Sequence, residues 1–426
     1  MPPAPAAFRR FFFSTLWLDI LSRGLSAISL VVFVRGLSTS SFAYIILLQT
    51  VGQFAGSALT GGVRTRYLRQ EAERVSRGAE GASSFGRALK TTLALIAVLA
   101  AAGVVAAELL DVGGSATQRV GFALLAAVAS AGFALIELAM HHHQAHLRFT
   151  VAGLTGVLRG AALLSVAAVS SLGHVTDRVA IGAWLAGSLL VVGIATCAPM
   201  AIEAWRGEPE PEDDDSFGSE SAWLTVYSGV SAGYAYVSTF LVAALLSEGD
   251  LAAYGAAIRY VAIVLGPAPA LLAVLRVRTS QSDVVDSAER QAGFLVDWVK
   301  RTTLPIAGVL ALAGLSAPLT VPLIDGGRYP DSIPIFQILL VSTVFVYATM
   351  PSISLLMTQR RFRLLALLYG GQLLLSCAAS VAAGLAFGAI GVAVATTAVA
   401  VAETITVALI ALRHSQRSAA LARSSA

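Results

Sequence analysis

Three arginines, Arg23, Arg159 and Arg259, lie inside long apolar runs of the sequence. An ionisable group at the centre of a bilayer costs at least ~2.5–3.5 kcal/mol on insertion scales, so it usually faces protein or water. Arginine brings a permanent charge and a planar fork of donors that suits anionic groups. These positions are therefore candidate binding residues, and each also has a purely structural interpretation.

Arg23 and Arg259 differ in whether a counter-ion lies near them in the sequence. Asp19 precedes Arg23 by four residues, which is one helical turn on the same face. The two side chains either neutralise each other for membrane insertion or place Arg23 toward a cavity. Arg259 has no acidic residue one turn away. Its side chain either extends to the outer interface, as long basic side chains do near helix ends, or faces a polar cavity.

Two acidic residues and a group of tyrosines also interrupt apolar runs. Glu137 is placed to pair with Arg159 across two helices, a contact that mainly joins the helices. Glu403 is a candidate site for a proton or a cation if transport is coupled, and Glu137 is a second candidate. Tyr234 can stack on a sugar ring or pack between helices.

The stretch MHHHQAHLRF, residues 140–149, raises the question of a metal site. His142 and His146 are four residues apart and share a helix face, whereas adjacent histidines point in different directions. No tight set of carboxylates completes a ligand group in the sequence. We therefore predict no metal and no cofactor, and we expect interfacial histidines at a helix end.

The composition places these residues in a membrane protein. Of 426 residues, 56% are hydrophobic and only 13% are charged, and the mean hydropathy is +0.76. In a soluble globular chain about a quarter of the residues are charged, so lipid is the expected surrounding of most of this chain. The two cysteines, Cys197 and Cys377, lie far apart in apolar runs, which disfavours a disulfide framework.

Apolar runs long enough to cross a bilayer as helices, about 20 residues each, occur twelve times. The runs are continuous and do not alternate, which disfavours a β-barrel. We therefore predict an all-α polytopic membrane protein with about twelve transmembrane helices. The predicted spans are 12–34, 42–63, 91–110, 120–140, 150–171, 179–200, 222–246, 251–275, 303–324, 333–356, 364–386 and 389–412.

The distribution of basic residues predicts the orientation. With the N-terminus in the cytoplasm, 22 of the 29 Lys and Arg fall in inner segments, seven of them in residues 64–90, and four in outer loops. This positive-inside pattern predicts that both termini lie in the cytoplasm. It also accounts for the basic pI of about 9.2, and it indicates that the basic residues contact anionic lipid headgroups and not nucleic acid.

An acidic, proline-containing stretch divides the spans into six and six, and its composition is typical of a disordered linker. The predicted domains are an N-terminal six-helix lobe at 1–202, the acidic cytoplasmic linker at 203–221, a C-terminal six-helix lobe at 222–412 and a basic cytoplasmic tail at 413–426.

The two halves of the chain resemble each other weakly along their length. LSTSSFAY at 37–44 matches LSEGDLAAY at 246–254, and QAHLRFTVAGL at 144–154 aligns with QRRFRLLALLY at 359–369. Such matches keep their order at an offset of 209–215 residues, which indicates an internal repeat. Because each half has an even number of spans, both enter the membrane from the same side. We expect two parallel six-helix lobes around a central cavity, an arrangement suited to alternating access.

Several segments resemble a known transporter family. RGLSTSSFAYIILLQTVGQFAGSALTGGVRTRYLRQEAE is similar to the first hairpin of bacterial polysaccharide-export flippases, and LLSEGDLAAYGAAIRYVAIVLGPAPALLAVLRVRTSQ resembles their seventh-to-eighth span junction. PLIDGGRYPDSIPIFQILL and AFGAIGVAVATTAVAVAETI resemble their late segments. On these stretches the chain resembles the Wzx-type O-antigen flippases of the multidrug/oligosaccharidyl-lipid/polysaccharide exporter superfamily.

The resemblance implies a function and a set of partners. Such flippases carry a polyprenyl-diphosphate-linked oligosaccharide from the inner to the outer leaflet of the cytoplasmic membrane, for surface polysaccharide biosynthesis. The implied partners are that lipid-linked glycan, membrane lipids and a polysaccharide polymerase complex.

The resemblance also implies roles for individual residues. In lipid II flippases, arginines on the first and eighth spans are associated with the diphosphate, and Arg23, with Asp19, and Arg259 match those helices. Gln49 and Gln53 lie on the second span, where they leave a neutral wall that suits a sugar. Tyr234, on the seventh span, is likewise expected to face the glycan.

Rival functions make different demands on the same residues. A cation-coupled multidrug extruder of the same superfamily pairs substrate cations with Glu137 or Glu403 and tolerates Arg23→Ala. A transport-inactive membrane scaffold has a closed, apolar interface between its lobes. An enzyme is not expected, because no G-x-x-x-x-G-K-[ST] or H-E-x-x-H motif occurs and the outer loops are short.

Overall fold

A computed structural model describes residues 5–76, 84–109, 115–173, 175–206, 219–265 and 288–424, with three single residues between the last two ranges. Every regular element within these ranges is helical. The helices are α1 (Pro5–Gly36), α2 (Thr39–Gln53), α3 (Gly61–Ser76), α4 (Phe85–Leu109), α5 (Ala116–Ala145), α6 (Phe149–Leu172), α7 (Arg178–Arg206), α8 (Ser219–Leu245), α9 (Glu248–Val264), α10 (Ala288–Trp298), α11 (Leu304–Asp325), α12 (Ser332–Thr358) and α13 (Phe362–Ser424).

The helices confirm the predicted all-helical membrane fold with about twelve spans. In the described part of the chain, nine helices are long and apolar enough to cross a membrane, or ten if α2 and α3 form one bent span. α13 is kinked at Gly388, whose φ of 63° is left-handed, so this helix holds two of the predicted spans. α9 covers the start of the predicted span 251–275, and most of the remainder lies outside the described residues.

The second predicted span continues well beyond its apolar run. A π-helical segment, Phe54–Leu59, follows α2, and the chain bends by 45° before α3. The Thr60 hydroxyl donates to the Gly56 carbonyl oxygen at 2.6 Å across this bend. Because α3 continues from the bend, it brings charged side chains that the sequence assigned to an inner loop into the packed helices.

The chain forms two compact units, Met1–Ala232 and Gly233–Ala426, and the division lies within α8. The linker predicted at 203–221 includes residues 207–218, which are outside the described part of the chain. In the first unit, α1 packs along α6 and α5 packs along α7. A Cβ atom at Gly160 would lie 2.8 Å from the Ser22 carbonyl oxygen, so glycine permits the close approach of α1 and α6.

In the second unit, hydroxyl groups join α12 to the second half of α13. The hydroxyl oxygens of Thr349 and Thr404 lie 2.7 Å apart, and Thr397 donates to the Ile338 carbonyl oxygen at 3.2 Å. Hydrogen bonds between side chains and neighbouring helices are a common means of association in a lipid environment. These contacts fix the helix that carries Glu403.

The repeated sequence segments begin with similar local structure. Ser38 caps the N-terminus of α2, and Ser247 caps that of α9, each accepting a backbone N–H in its hydroxyl oxygen. Shortly before α6 and α13 the backbone is left-handed, at Leu147 (φ 57°) and Arg360 (φ 56°). A serine N-cap and a later residue with left-handed backbone therefore occur in both units, in the order that the internal repeat predicts.

Candidate functional site

The first unit holds an ion-pair cluster on three helices. Glu137 of α5 accepts from Arg64 of α3 (Nη1 to Oε2, 2.8 Å) and from Arg159 of α6 (Nη1 to Oε1, 3.1 Å). The side chains of Arg64, Glu137 and Arg159 are 9%, 19% and 28% exposed, respectively. Each carboxylate oxygen thus receives a charge-assisted hydrogen bond, and the three side chains together carry a formal charge of +1.

Arg64 is the member of this cluster that the sequence analysis missed. Because its segment is rich in charges, the sequence predicts that it lies in an inner, solvent-facing stretch. The available signal was spacing, because Arg64, Tyr67 and Glu71 recur at intervals of three and four residues, which puts them on one helix face. In the structure all three of these residues are buried.

The predicted Asp19–Arg23 pair is formed within α1. Arg23 Nε lies 2.8 Å from Asp19 Oδ2, and both side chains remain partly exposed. The neighbouring Ser22 hydroxyl donates to the Gly156 carbonyl oxygen of α6 at 2.8 Å, so the ion pair lies beside the α1–α6 contact and not within it. The pair is compatible with either interpretation of Arg23, as an insertion aid or as a positioned binding residue.

The two predicted glutamines of α2 differ in burial. Gln49 is buried inside the first unit, next to Thr50, whose hydroxyl donates to the Ile46 carbonyl oxygen at 2.7 Å. Gln53, the last residue of α2, is half-buried at the start of the π-helical segment. Gln53 is therefore the more accessible of the two for a ligand.

Arg259 lies on α9, two residues after the buried stretch 251–257 of that helix, and is itself half-buried. Tyr236 of α8 is its ionisable neighbour, and no carboxylate among the described residues forms an ion pair with it. The two tyrosines near Arg259 in sequence have packing roles: Tyr254 is fully buried, and the Tyr260 ring contacts Phe336 edge-on at 5.9 Å. A positive charge thus lies on α9, within the predicted span 251–275, without a carboxylate partner in the described part of the second unit.

Glu403 is a buried residue of the second unit. Its carboxyl group lies beside the hydroxyl groups of Tyr234 and Tyr369, whose rings pack edge-on at 5.9 Å. The Tyr234 hydroxyl is therefore engaged with Glu403, and its ring is what remains to contact a sugar.

A stripe of buried polar side chains follows Tyr369 on the first half of α13. Gln372 Oε1, Ser376 Oγ and Ser380 Oγ are buried atoms without a hydrogen-bond partner. Their spacing of four residues puts them on one face of the helix. The interior of the second unit therefore has unused hydrogen-bonding capacity on the helix that carries Tyr369.

The histidine run differs from the interfacial arrangement expected from sequence. His142 is buried in the first unit, and its Nδ1 lies 2.6 Å from the Tyr67 hydroxyl oxygen. His146, one turn later, has Nε2 at 3.1 Å from Glu71 Oε1. The physical reason is α3, which packs against this end of α5 and covers the histidines.

The first unit also contains a cavity of about 210 Å³ between α2, α4 and α5. Its lining is apolar except for Ser130, whose hydroxyl donates to the Ala126 carbonyl oxygen at 2.6 Å. The lining residues carry no charge. This cavity is therefore separate in chemistry from the charged cluster around Glu137.

No family model matches the sequence, and no curated protein matches it significantly. Solved structures do match the fold. A multidrug resistance MATE family transporter of the MOP superfamily, in an inward-facing conformation, is similar with a TM-score of 0.73 and 15% identity over 97% of this chain and 99% of that chain. The lipid II flippase MurJ, in an inward closed conformation, is similar with a TM-score of 0.66 and 14% identity, covering 96% of this chain and 90% of that one.

A MOP superfamily transporter from Pyrococcus furiosus, described as having a binding pocket of reverse polarity, is similar with a TM-score of 0.65 and 15% identity over 96% of each chain. At these identities the likeness concerns the fold alone. The fold is that of MOP superfamily transporters, and it extends over nearly the whole chain.

Proposed function

We propose that this protein is a flippase that moves a polyprenyl-diphosphate-linked oligosaccharide from the inner to the outer leaflet of the cytoplasmic membrane by alternating access. The fold, shared with a lipid II flippase, supports a transporter. Delivery of a glycan to the outer leaflet supplies surface polysaccharide synthesis, such as that of O-antigen, so a polysaccharide polymerase complex belongs to this proposal as a partner.

The observation that carries the proposal is the charge of Arg259. A guanidinium on a membrane-spanning helix is costly unless a counter-charge or water compensates for it. Among the described residues Arg259 has no carboxylate partner. A diphosphate supplies both the missing negative charge and several acceptor oxygens, and the planar guanidinium can bind two of those oxygens at once.

Other residues have supporting roles in the proposal. Arg23, oriented by Asp19, is proposed as a diphosphate contact in the first unit. Gln53 is proposed to contact the glycan because it is accessible, whereas Gln49 supports it from the interior. The ring of Tyr234 is proposed as a stacking surface for a sugar, since its hydroxyl is directed to Glu403.

The binding of a polyprenyl diphosphate to the purified full-length protein in detergent tests this proposal. We expect polyprenyl diphosphate to bind more tightly than the corresponding neutral polyprenol. Arg259→Ala should weaken diphosphate binding by about tenfold or more, which corresponds to at least ~1.4 kcal/mol. Arg259→Lys should recover part of the loss, because it keeps the charge but not the planar donor fork.

Arg328→Ala is the matched control, because Arg328 lies in the loop between α11 and α12 and near the Tyr329 ring. It should bind polyprenyl diphosphate like the wild type. Equal affinity of the wild type for diphosphate and neutral polyprenol would contradict the proposal. So would an Arg259→Ala variant that binds as tightly as the wild type.

A cation-coupled multidrug extruder is a second candidate function, and Glu403 is the observation that favours it. A buried carboxyl group held by neutral hydroxyl donors can receive a proton or a cation. MATE family transporters share this fold. This candidate predicts that export of a cationic dye from proteoliposomes is lost in Glu403→Gln and unaffected by Arg23→Ala and Arg259→Ala.

A further inference from the structure

Three side chains in the first unit form a group that the flippase proposal does not use. They are Glu71 on α3, His142 on α5 and His146, the residue that follows the C-terminus of α5. One potential ligand atom from each lies within 4.8 Å of the others. The two histidines are one helical turn apart, with ring centroids 4.5 Å from each other, and Glu71 Oε1 reaches His146 Nε2 at 3.1 Å.

We propose that Glu71, His142 and His146 form a binding site for a divalent transition metal ion, with Zn²⁺ as the best-fitting ion. Two imidazole nitrogens and one carboxylate oxygen are a ligand set that Zn²⁺ accepts in open, four-coordinate sites. In a tetrahedron with Zn–N and Zn–O distances of about 2.0–2.1 Å, ligand atoms lie about 3.3 Å apart. The Glu71–His146 pair already has this spacing, and His142 needs a shift of no more than about 1.5 Å.

A second layer of residues orients the ligands. The Tyr67 hydroxyl lies 2.6 Å from His142 Nδ1, which leaves Nε2 of that ring for a metal. In metal sites, the histidine nitrogen that does not bind the metal usually forms a hydrogen bond with a neighbouring group, and this bond fixes the orientation of the ring. The ring of Phe85 packs edge-on against His142 at 5.4 Å and limits its rotation.

The two oxygens of Glu71 are divided between different partners. The Ser84 hydroxyl donates to Oε2 at 3.3 Å, and Arg74 Nη1 lies 3.8 Å from the same oxygen. Oε1 faces His146. Arg74 lowers the net attraction of the site for a cation, but it occupies the oxygen that the metal does not require. The carboxylate can therefore bind the metal through Oε1 while its other oxygen is held in place.

Access to the site lies along His146, whose side chain is 29% exposed, whereas Glu71 is almost fully buried. A water molecule entering beside His146 can supply the fourth ligand of a tetrahedral ion.

The bound ion would connect α3 to α5 beyond the bend in the second span. Arg64 and Glu137 join the same two helices nearer the bend. The metal would thus fix the direction of α3 at a second point.

Metal binding by the full-length protein, purified in detergent with any polyhistidine tag removed, tests this inference without reference to transport. After equilibration with Zn²⁺ and removal of the excess, elemental analysis should find one Zn²⁺ per chain. Competition with a chromophoric chelator should show at least a tenfold weaker affinity in Glu71→Gln and in His146→Ala. His143→Ala is the matched control, because His143 belongs to the same run but not to the ligand group, and it should retain wild-type affinity.

Two further measurements keep the result independent of variant folding. Gel filtration and thermal unfolding in the presence of a chelator establish that each variant is folded before zinc is added. Co²⁺-loaded wild-type protein should show the intense visible absorption of a tetrahedral site. If the wild type binds no more Zn²⁺ than the Glu71→Gln/His146→Ala double variant, or if His143→Ala loses as much affinity as His146→Ala, the inference is wrong and the three side chains form a hydrogen-bonded cluster only.

Discussion

The two units of the molecule surround an acidic residue of a spanning helix with different kinds of partner. In the first unit, Glu137 receives one guanidinium group on each carboxylate oxygen, from Arg64 and Arg159. In the second unit, Glu403 lies beside the neutral hydroxyl groups of Tyr234 and Tyr369. Both carboxyl groups lie on spanning helices, so the difference is in their partners and not in their depth of burial alone.

The difference in partners indicates a structural role for Glu137 and a chemical role for Glu403. A carboxylate between two permanent cations is charge-compensated, and removing it leaves two positive charges in the helix bundle. A carboxyl group with neutral donors can gain or lose a proton, or bind a cation, without breaking an ion pair. We therefore regard Glu137 as a residue that joins three helices, and we propose Glu403 as the coupling residue.

The largest expected effect is on stability, from Glu137→Gln. Loss of the carboxylate leaves Arg64 and Arg159 without their shared counter-ion, and we expect a loss of about 3 kcal/mol, since breaking a buried ion pair typically costs 3–5 kcal/mol and Arg159 is partly exposed. Denaturant unfolding of the purified protein in detergent measures it. An unfolding free energy within about 1 kcal/mol of the wild type would show that Glu137 does not stabilise the packing of these helices.

Glu403→Gln should have the opposite profile. The amide is close in shape to the carboxyl group and keeps an oxygen that can accept from Tyr234 and Tyr369. The free energy of unfolding should therefore change by less than about 1 kcal/mol. Transport driven by an imposed proton or sodium gradient should fall by about tenfold or more, because the side chain can no longer change its protonation or bind a cation. Gradient-driven uptake in proteoliposomes measures this, and wild-type coupling in the variant would show that Glu403 is not the coupling residue.

Tyr369→Phe tests the hydrogen bonds around Glu403 with a smaller change. The variant removes one donor and keeps the ring that packs on Tyr234, so we expect a loss of ~1 kcal/mol in unfolding free energy. A double-mutant cycle with Glu403→Gln isolates the pairwise part of this effect. A coupling energy of zero would mean that the Tyr369 hydroxyl does not act on Glu403.

The smallest effects are expected where the two units are alike. Ser38→Ala and Ser247→Ala each remove an N-cap hydroxyl, from α2 and α9, and each should cost ~0.5–1 kcal/mol. Unfolding of the two variants under the same conditions gives the comparison. A loss confined to one variant would show that the repeated segments do not have equivalent roles.

The sequence predicts the helices more completely than it predicts their partners. Apolar run length identifies the spans, and helical spacing identifies the Asp19–Arg23 pair, because both signals are local. The contact of Arg64 with Glu137 and that of Tyr369 with Glu403 depend on how separate helices pack. A single sequence contains no direct record of that packing.

The bend after α2 explains the main omission. Charge-rich residues after an apolar run usually lie in water, so the sequence predicts an inner loop for the segment that contains Arg64 and Glu71. A π-helical segment redirects the chain by 45°, and α3 then packs its buried face on α5. In the sequence, the only sign of that buried face is the spacing of Arg64, Tyr67 and Glu71.

The most direct test of the proposed function is translocation of a fluorescent polyprenyl-diphosphate-linked oligosaccharide in proteoliposomes, followed by quenching of the outer leaflet. We predict that the wild-type protein moves the lipid between leaflets, that Arg259→Ala abolishes this movement, and that Arg328→Ala does not. Wild-type protein that leaves this lipid in place but exports a cationic dye in a Glu403-dependent manner would contradict the flippase account and identify the protein as a cation-coupled extruder.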